Sequence, residues 1–239
     1  LHLSNDMTGT TEVCSLLLSS SHRGGGTGLL LSRCRFMFLD DFRSHFSEKV
    51  FAEMRGVSDS NGQSPLWDAL GSKFFDMEFS EADMLSGLGN KSFIAELMPK
   101  YPIYLPMLPD AARAVIGRVH ENTAPALKML QAEGFNFNGM VDIFDGGPAV
   151  EAFIHSIRTV REGINRHVMI RKKPLVTDVP AEQQVMISNR SFRDFRVTTI
   201  PAECIGLDTV SIPADVAEAL EVESGDLVRL APLKDTGRR

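Results

Sequence analysis

The sequence predicts an α/β (α+β) protein: a mixed sheet flanked by helices, followed by a small β-rich C-terminal segment. Three observations carry that prediction. An apolar run at residues 11–18 passes through a glycine-rich turn into a stretch with helical spacing. Helical and strand-like patterns then alternate as far as Phe144. Beyond Glu151 the texture shifts to short β-like runs, so the chain divides into residues 1–150 and 151–239.

Taken in order, residues 11–18 read as a buried strand bounded by polar clusters. After the turn at 19–28, apolar residues at Leu30, Cys34, Met37, Phe38, Phe42 and Phe46 predict a helix over 29–46. Residues 49–55 form a second strand. Residues 64–75 form a helix with Pro65 in its first turn and Trp67, Leu70, Phe74 and Phe75 on one side. Short helices at 80–85, 91–98 and 110–116 are punctuated by Pro99, Pro102, Pro106 and Pro109. Thr123 caps a helix that has Pro125 in its first turn and Gly134 as its stop. Residues 138–144 read as a strand, closed by the turn Asp145-Gly146-Gly147-Pro148. A short helix near 154–163 leads to strands at 167–176, 184–187, 195–200 and 227–230, with a helix at 211–220 begun by Pro213.

Composition narrows the classes of function. A net charge of −6 argues against a nucleic-acid partner, whose binders carry basic surfaces. The apolar runs are far too short to span a bilayer, and no leader pattern opens the chain. The cysteines number 3 and are widely spaced, so neither a disulfide framework nor a zinc knuckle is expected, and Cys14 and Cys34 read as small core residues. Together these features predict a cytoplasmic protein with no membrane partner and no metal; no permanently bound cofactor is expected either. The chain opens on Leu1 with strand-like sequence close behind, which reads as a fragment or a processed chain.

The turn Arg23-Gly24-Gly25-Gly26-Thr27-Gly28 is where chemistry first enters. A strand that runs into a glycine-rich turn and then a helix exposes backbone N–H groups, and the helix dipole favours an anion there. Glycine lets the backbone approach a diphosphate closely, and Arg23 offers a bidentate cation. A plain flexible loop is the alternative on the glycines alone. A P-loop would need a Lys-Ser/Thr pair where Leu29-Leu30 stand, and the Rossmann spacing is absent.

Arg23, Gly26 and Gly28 fit the R-x-x-G-x-G pyrophosphate loop of the GNAT acyltransferase superfamily, which the chain resembles. The resemblance implies that the strand before the loop binds the pantetheine arm of an acyl-coenzyme A through its backbone. It also implies a later helix of the form A-x-x-x-Y-x-x-x-G-F, whose frame holds Ala126, Leu130, Gly134 and Phe135. Leu130 stands where the proton-donating tyrosine usually lies, and leucine has no proton to give. His120, just before the same helix, is the nearest replacement: it could take a proton from the attacking amine and return one to the thiolate. Position alone leaves a capping or surface histidine as the ordinary alternative. No H-x-x-x-H pair or G-x-S-x-G elbow offers a rival chemistry.

Longer strings make the resemblance specific. Leu3-Ser4-Asn5-Asp6, Arg33-x-Arg35-Phe36-Met37-Phe38, Ala52-Glu53-Met54-Arg55-Gly56, the run from Phe93 to Lys100, and Asp142-Ile143-Phe144-Asp145-Gly146-Gly147-Pro148 are similar to the arginine N-succinyltransferase family. The resemblance covers residues 1 to about 151 densely and the remainder loosely, and it implies that elements of the fold precede this chain. It further implies transfer of a succinyl group from succinyl-CoA, a co-substrate, to the α-amino group of L-arginine. His120, in Ile116-Gly117-Arg118-Val119-His120, takes the family's proton-donor position. Leu16 takes its succinyl-CoA contact, beside Arg23, Gly24, Gly26 and Gly28 in the loop. Two alternatives stay open: a paralogous subunit of a homo- or hetero-oligomer that also accepts L-ornithine, or a non-catalytic coenzyme A-binding subunit. Substrate recognition would need carboxylates for a guanidinium and a cation for the succinyl carboxylate. Glu53, Glu96, Asp142 and Asp145 are candidates for the first and Arg55 for the second, with structural or solvated roles as the ordinary alternative.

Overall fold

The computed structural model describes residues 1–59, 62–87, 92–175 and 179–235. In chain order the main elements are β1 (Thr11–Glu12), α1 (Thr27–Asp41), β2 (Lys49–Glu53), α2 (Ser72–Phe75), α3 (Phe79–Gly87), α4 (Ser92–Leu97), α5 (Asp110–Val115) and α6 (Ala124–Ala132). They continue with β3 (Asn136–Val141), β4 (Pro148–Phe153), α7 (Arg158–Arg161), β5 (Ile164–Arg171), β6 (Gln184–Ser188), β7 (Val197–Pro201), β8 (Thr209–Pro213), α8 (Ala214–Leu220) and β9 (Leu227–Pro232). The expected α/β class, with mixed sheets flanked by helices, is present. By contacts the chain forms two compact units, Leu1–Cys14 with Lys49–Ala152, and Ser15–Glu48 with Phe153–Arg239. That grouping resumes its second unit at Phe153, close to the sequence division at 150, but it moves residues 15–48 into the C-terminal unit.

The first unit is built on a sheet of order β1-β2-β4-β3, with β1 parallel to β2 and β3 antiparallel to β4. Leu66, Leu70, Leu108, Ala112 and Val115 form one core cluster, and Trp67, Phe75, Ala82 and Phe144 form another. Trp67 stacks on Phe75 with ring centroids 5.4 Å apart. Residues 67–71 wind as a π-helical turn rather than the plain helix expected. A Cβ at Gly71 would lie 2.3 Å from the Trp67 ring, so glycine is what allows the indole to lie against this turn.

The second unit holds a sheet of order β7-β6-β9-β5-β8, in which β5 runs parallel to β8 and the other pairings are antiparallel. Val168, Ile187, Ile200, Val210, Ile212, Leu220, Val228 and Leu230 form its core, consistent with alternation of inward residues along strands. Helix α1 buries Met37 against Met186, Ala231 and Leu233. Near its C-terminus Asp40 pairs with Arg229, and Arg190 reaches Asp41 at 3.1 Å. Burial pushes the Asp41 carboxyl up, opposed by the Arg190 charge, and lowers the Arg229 guanidinium.

Several expectations are corrected. The strand over 11–18 keeps only Thr11–Glu12 in its ladder, extended by Val13 N–H donating to Phe51 O at 2.9 Å. Ser15 then adopts a left-handed φ of 54°, which takes the following leucines out of any pairing, and Leu17 is 85% exposed. Cys14 is exposed rather than a core residue, while Cys34 is half-buried. The turn at 145–148 does not end the sheet, because Pro148 opens β4; proline is tolerated as a first strand residue. Residues 209–213 are a strand, so the helix expected from 211 starts at Ala214. The helix at 91–98 and the strand at 167–176 each have one expected end, Lys91 and Val176, outside the described residues. Among the described residues no helix is long and apolar enough to cross a membrane.

Candidate functional site

The glycine-rich turn keeps the shape that its sequence demands. Gly24, Gly25 and Gly26 have φ of 113°, 57° and 86°, all left-handed, where an L side chain is strained. Space is not the reason: a Cβ at Gly24 or Gly25 would meet nothing within 4 Å. Gly26 is the N-cap of α1, and Leu30 N–H donates back to its carbonyl at 3.0 Å. The N–H groups of Gly25, Gly26, Gly28 and Leu29 donate to no acceptor among the described residues. Such a row of unpaired donors at the positive end of a 15-residue helix suits an anion. Arg23 is exposed beside it, with no side-chain partner among the described residues. Upstream, Leu16 is 38% exposed, and the backbone of residues 14–18 makes no hydrogen bond among the described residues. Its N–H and C=O groups are open to an extended ligand, as a strand edge is.

His120 sits in the first unit, at a corner stitched by hydrogen bonds. Its N–H donates to Arg55 O at 2.9 Å, next to a bridge between Gly56 and Val119. Gly117 N–H donates to Gly146 O at 2.8 Å. The buried Asp145 carboxylate accepts Gly56 N–H through Oδ2 at 2.6 Å and Gly147 N–H through Oδ1 at 2.8 Å. Gly147 must be glycine, since a Cβ there would lie 2.0 Å from Met54 O. The corner therefore locks three segments together: 54–56, 117–120 and 145–147. Thr123 precedes α6 as expected, but its side chain makes no cap bond; the His120 carbonyl instead accepts the N–H of Thr123 at 2.9 Å and of Ala124 at 3.0 Å. Leu130 is buried, a packing residue of α6 with no access to a reacting group.

The ring of His120 has a defined partner. Asn122 N–H donates to its Nδ1 at 3.1 Å, so the neutral imidazole carries its proton on Nε2. In that state the side chain is an Nε2–H donor.

Beside this corner lies a cavity of about 400 Å³, lined by Glu53, Met54, Arg55, Phe79, Asp142, Phe144 and Asp145. It brings together Glu53, Asp142, Asp145 and Arg55 from the sequence candidates; Glu96, exposed on α4, is not among its lining residues. Asp142 spends Oδ1 on the N–H of Phe144, at 2.8 Å, and of Asp145, at 3.0 Å. Burial, followed by the Asp145 and Glu53 charges, raises the Asp142 carboxyl from the ordinary 3.8 to about 7, against the pull of those two N–H groups. The structural use of Asp145 was not legible in the sequence, because an aspartate in a D-G-G-P string reads as an ordinary turn residue. Among the described residues no group of three or more His, Cys, Asp and Glu side chains could hold a metal ion.

Comparison with known proteins adds a second line of observation. Residues 1–159 match the protein family described as arginine N-succinyltransferase beta subunit, and residues 166–232 match that subunit's C-terminal domain. The chain is 49% identical over 235 residues to arginine N-succinyltransferase subunit beta of Pseudomonas aeruginosa, covering 98% of this chain and 67% of that one. It is 45% identical to arginine N-succinyltransferase of Yersinia enterocolitica, with coverages of 98% and 66%. Among solved structures it is similar to arginine/ornithine succinyltransferase subunit AI from Pseudomonas aeruginosa, with a TM-score of 0.80 and 32% identity, covering 94% of this chain and 63% of that one. The chain thus spans about two thirds of the length of the curated relatives it matches.

Proposed function

The chain belongs to the arginine N-succinyltransferase family, and from that premise we propose that it transfers the succinyl group of succinyl-CoA to the α-amino group of L-arginine. The observation that carries this reading is identity of 49% sustained over 98% of the chain. The reading assigns the GNAT-type donor contacts to the backbone of Leu16 and to the turn of Arg23, Gly24, Gly26 and Gly28. Unpaired N–H groups and an exposed guanidinium suit a diphosphate, and backbone groups without partners suit the amide-bearing pantetheine arm.

In the reaction the amine nitrogen attacks the thioester carbonyl carbon, the C–S bond breaks, and sulfur keeps the electron pair. The proton lost by nitrogen balances the one gained by sulfur. Nε2–H of His120 gives its proton to the departing sulfur, and the proton leaving the nitrogen replaces it on Nε2, so the ring ends the cycle as it began. A positioned donor of this kind contributes roughly 10²–10⁴-fold in rate. No metal and no permanently bound cofactor enter this scheme; succinyl-CoA is a co-substrate. The similar solved structure is named as a subunit of an arginine/ornithine succinyltransferase, so a second reading keeps a subunit that also accepts L-ornithine and works within a homo- or hetero-oligomer. We place the protein in the cytoplasm, and take residues 1–150 as the acyltransferase part and 151–239 as a β-rich subdomain. The test is thiol release by the full-length protein, scanned over acyl-CoA donors and amine acceptors. Turnover confined to succinyl-CoA with arginine or ornithine supports the reading; release with other pairs and none with these overturns it.

A further inference from the structure

The cavity beside His120 has chemistry that the corner itself does not use. Its 400 Å³ falls within the range of small-molecule sites, roughly 300–1,000 Å³. Its lining residues differ in kind: the aromatic Phe79 and Phe144, the cationic Arg55, and the acidic Glu53, Asp142 and Asp145. These carboxyls are not equivalent. Asp145 has both oxygens occupied by backbone N–H groups, so it is structural. Asp142 has only Oδ1 occupied, and its Oδ2 has no hydrogen-bond partner among the described residues. Asp142 is half-buried and lines the cavity, so this oxygen stays available to a donor from a ligand. A cationic ligand would supply one.

The position of the cavity is fixed relative to His120 by short connections. Arg55 lines the cavity and its carbonyl accepts the His120 N–H at 2.9 Å; Asp145 lines it and holds Gly56, the next residue along. Arg55 is braced by donation to Ser58 Oγ at 2.8 Å, which leaves the other donors of its guanidinium for an anion. One cavity therefore offers a carboxyl acceptor, a guanidinium for an anion and two aromatic residues, at the corner to which the proposed proton donor is hydrogen-bonded.

Building on the proposed transferase reading, we propose that this cavity binds the acceptor, an α-amino acid with a cationic side chain, whose cation contacts Asp142 Oδ2 on the carboxyl wall that Glu53 completes and whose carboxylate meets Arg55. A guanidinium suits a site with carboxyl acceptors better than a neutral urea does, because its charge strengthens the hydrogen bond to the carboxyl. Loss of one such charge-assisted contact costs roughly 10-fold or more in affinity.

The experiment compares arginine with its neutral isostere citrulline as acceptors for the full-length enzyme, in wild type, Asp142→Asn and Glu53→Gln. Asn at 142 keeps an Oδ1 acceptor for Phe144 and Asp145 N–H, so the loop retains its bonds. The expected result is a rise of about tenfold or more in KM for arginine in Asp142→Asn. The ratio of kcat/KM for arginine over citrulline should fall by a similar factor, with KM for succinyl-CoA unchanged. Glu53→Gln should shift the same ratio in the same direction, and it covers the case of an unfolded Asp142 variant. An unchanged arginine-to-citrulline ratio in a folded Asp142→Asn enzyme overturns the proposal while leaving the transferase reading intact. A wild type that acylates neither compound sinks the transferase reading instead.

Discussion

In the glycine-rich turn, Gly24, Gly25 and Gly26 hold left-handed φ of 113°, 57° and 86°, and an added Cβ at Gly24 or Gly25 would touch nothing. In the His120 corner the backbone is held by side-chain and carbonyl acceptors, and a Cβ at Gly147 would lie 2.0 Å from Met54 O. The first region carries its chemistry in exposed, unpaired N–H groups. The second carries it in one imidazole and one buried carboxylate. Substitution should therefore read out differently in the two regions: through ligand binding with little change in stability at the turn, and through turnover or folding at the corner.

The largest effect expected is at His120. His120→Ala in the full-length enzyme should lower kcat by roughly 10²–10⁴-fold with KM for succinyl-CoA little changed. Steady-state kinetics at saturating arginine check this, and wild-type turnover would remove His120 from the chemistry. Next comes Asp145→Ala, which leaves the buried N–H groups of Gly56 and Gly147 without acceptors. At 1–3 kcal/mol for each such group, a loss of about 3 kcal/mol is expected from urea unfolding. Arg23→Glu is the counterpart in the turn: unfolding should be unaffected, while Kd for coenzyme A rises roughly 10–100-fold by isothermal titration. An unchanged affinity would erase the contrast between the two regions.

The smallest effect is a pH dependence. Asp142 titrates near 7 in the folded chain and near 3.8 when unfolded, so between those values the folded state holds a proton that the unfolded state has lost. Its contribution to stability is complete below 3.8 and declines as pH rises toward 7. Asp142→Asn stays neutral throughout, so the melting temperature of the variant relative to wild type should rise between pH 5 and pH 8. A constant difference across that range would show that Asp142 is not held protonated.

Much of the turn was legible because its chemistry is local. Glycine spacing, the flanking Arg23 and the onset of α1 are all written within a few residues, and their conformation follows from φ alone. The corner was legible only in part. His120 could be singled out from its place before α6, but the bonds that hold it come from Arg55 and, through Gly56, from Asp145, 89 residues further along the chain from Gly56. Such long-range pairings have no periodic signature. The same limit explains β4 and β8, which open or close on prolines that read as turn or helix signals, and the strand at 11–18, where the left-handed Ser15 overrides an apolar run. The cavity residues could be named as charged candidates, yet only the fold separates Asp145, which is spent on backbone, from Asp142, which is not.

The most direct test of the proposed reaction is the identity of its product. Full-length protein incubated with succinyl-CoA and arginine should yield one equivalent of free coenzyme A for each arginine carrying a succinyl group, and NMR should place the new amide on the α-nitrogen. Acylation at the guanidinium, or coenzyme A release without a succinylated amino acid, would contradict the assignment.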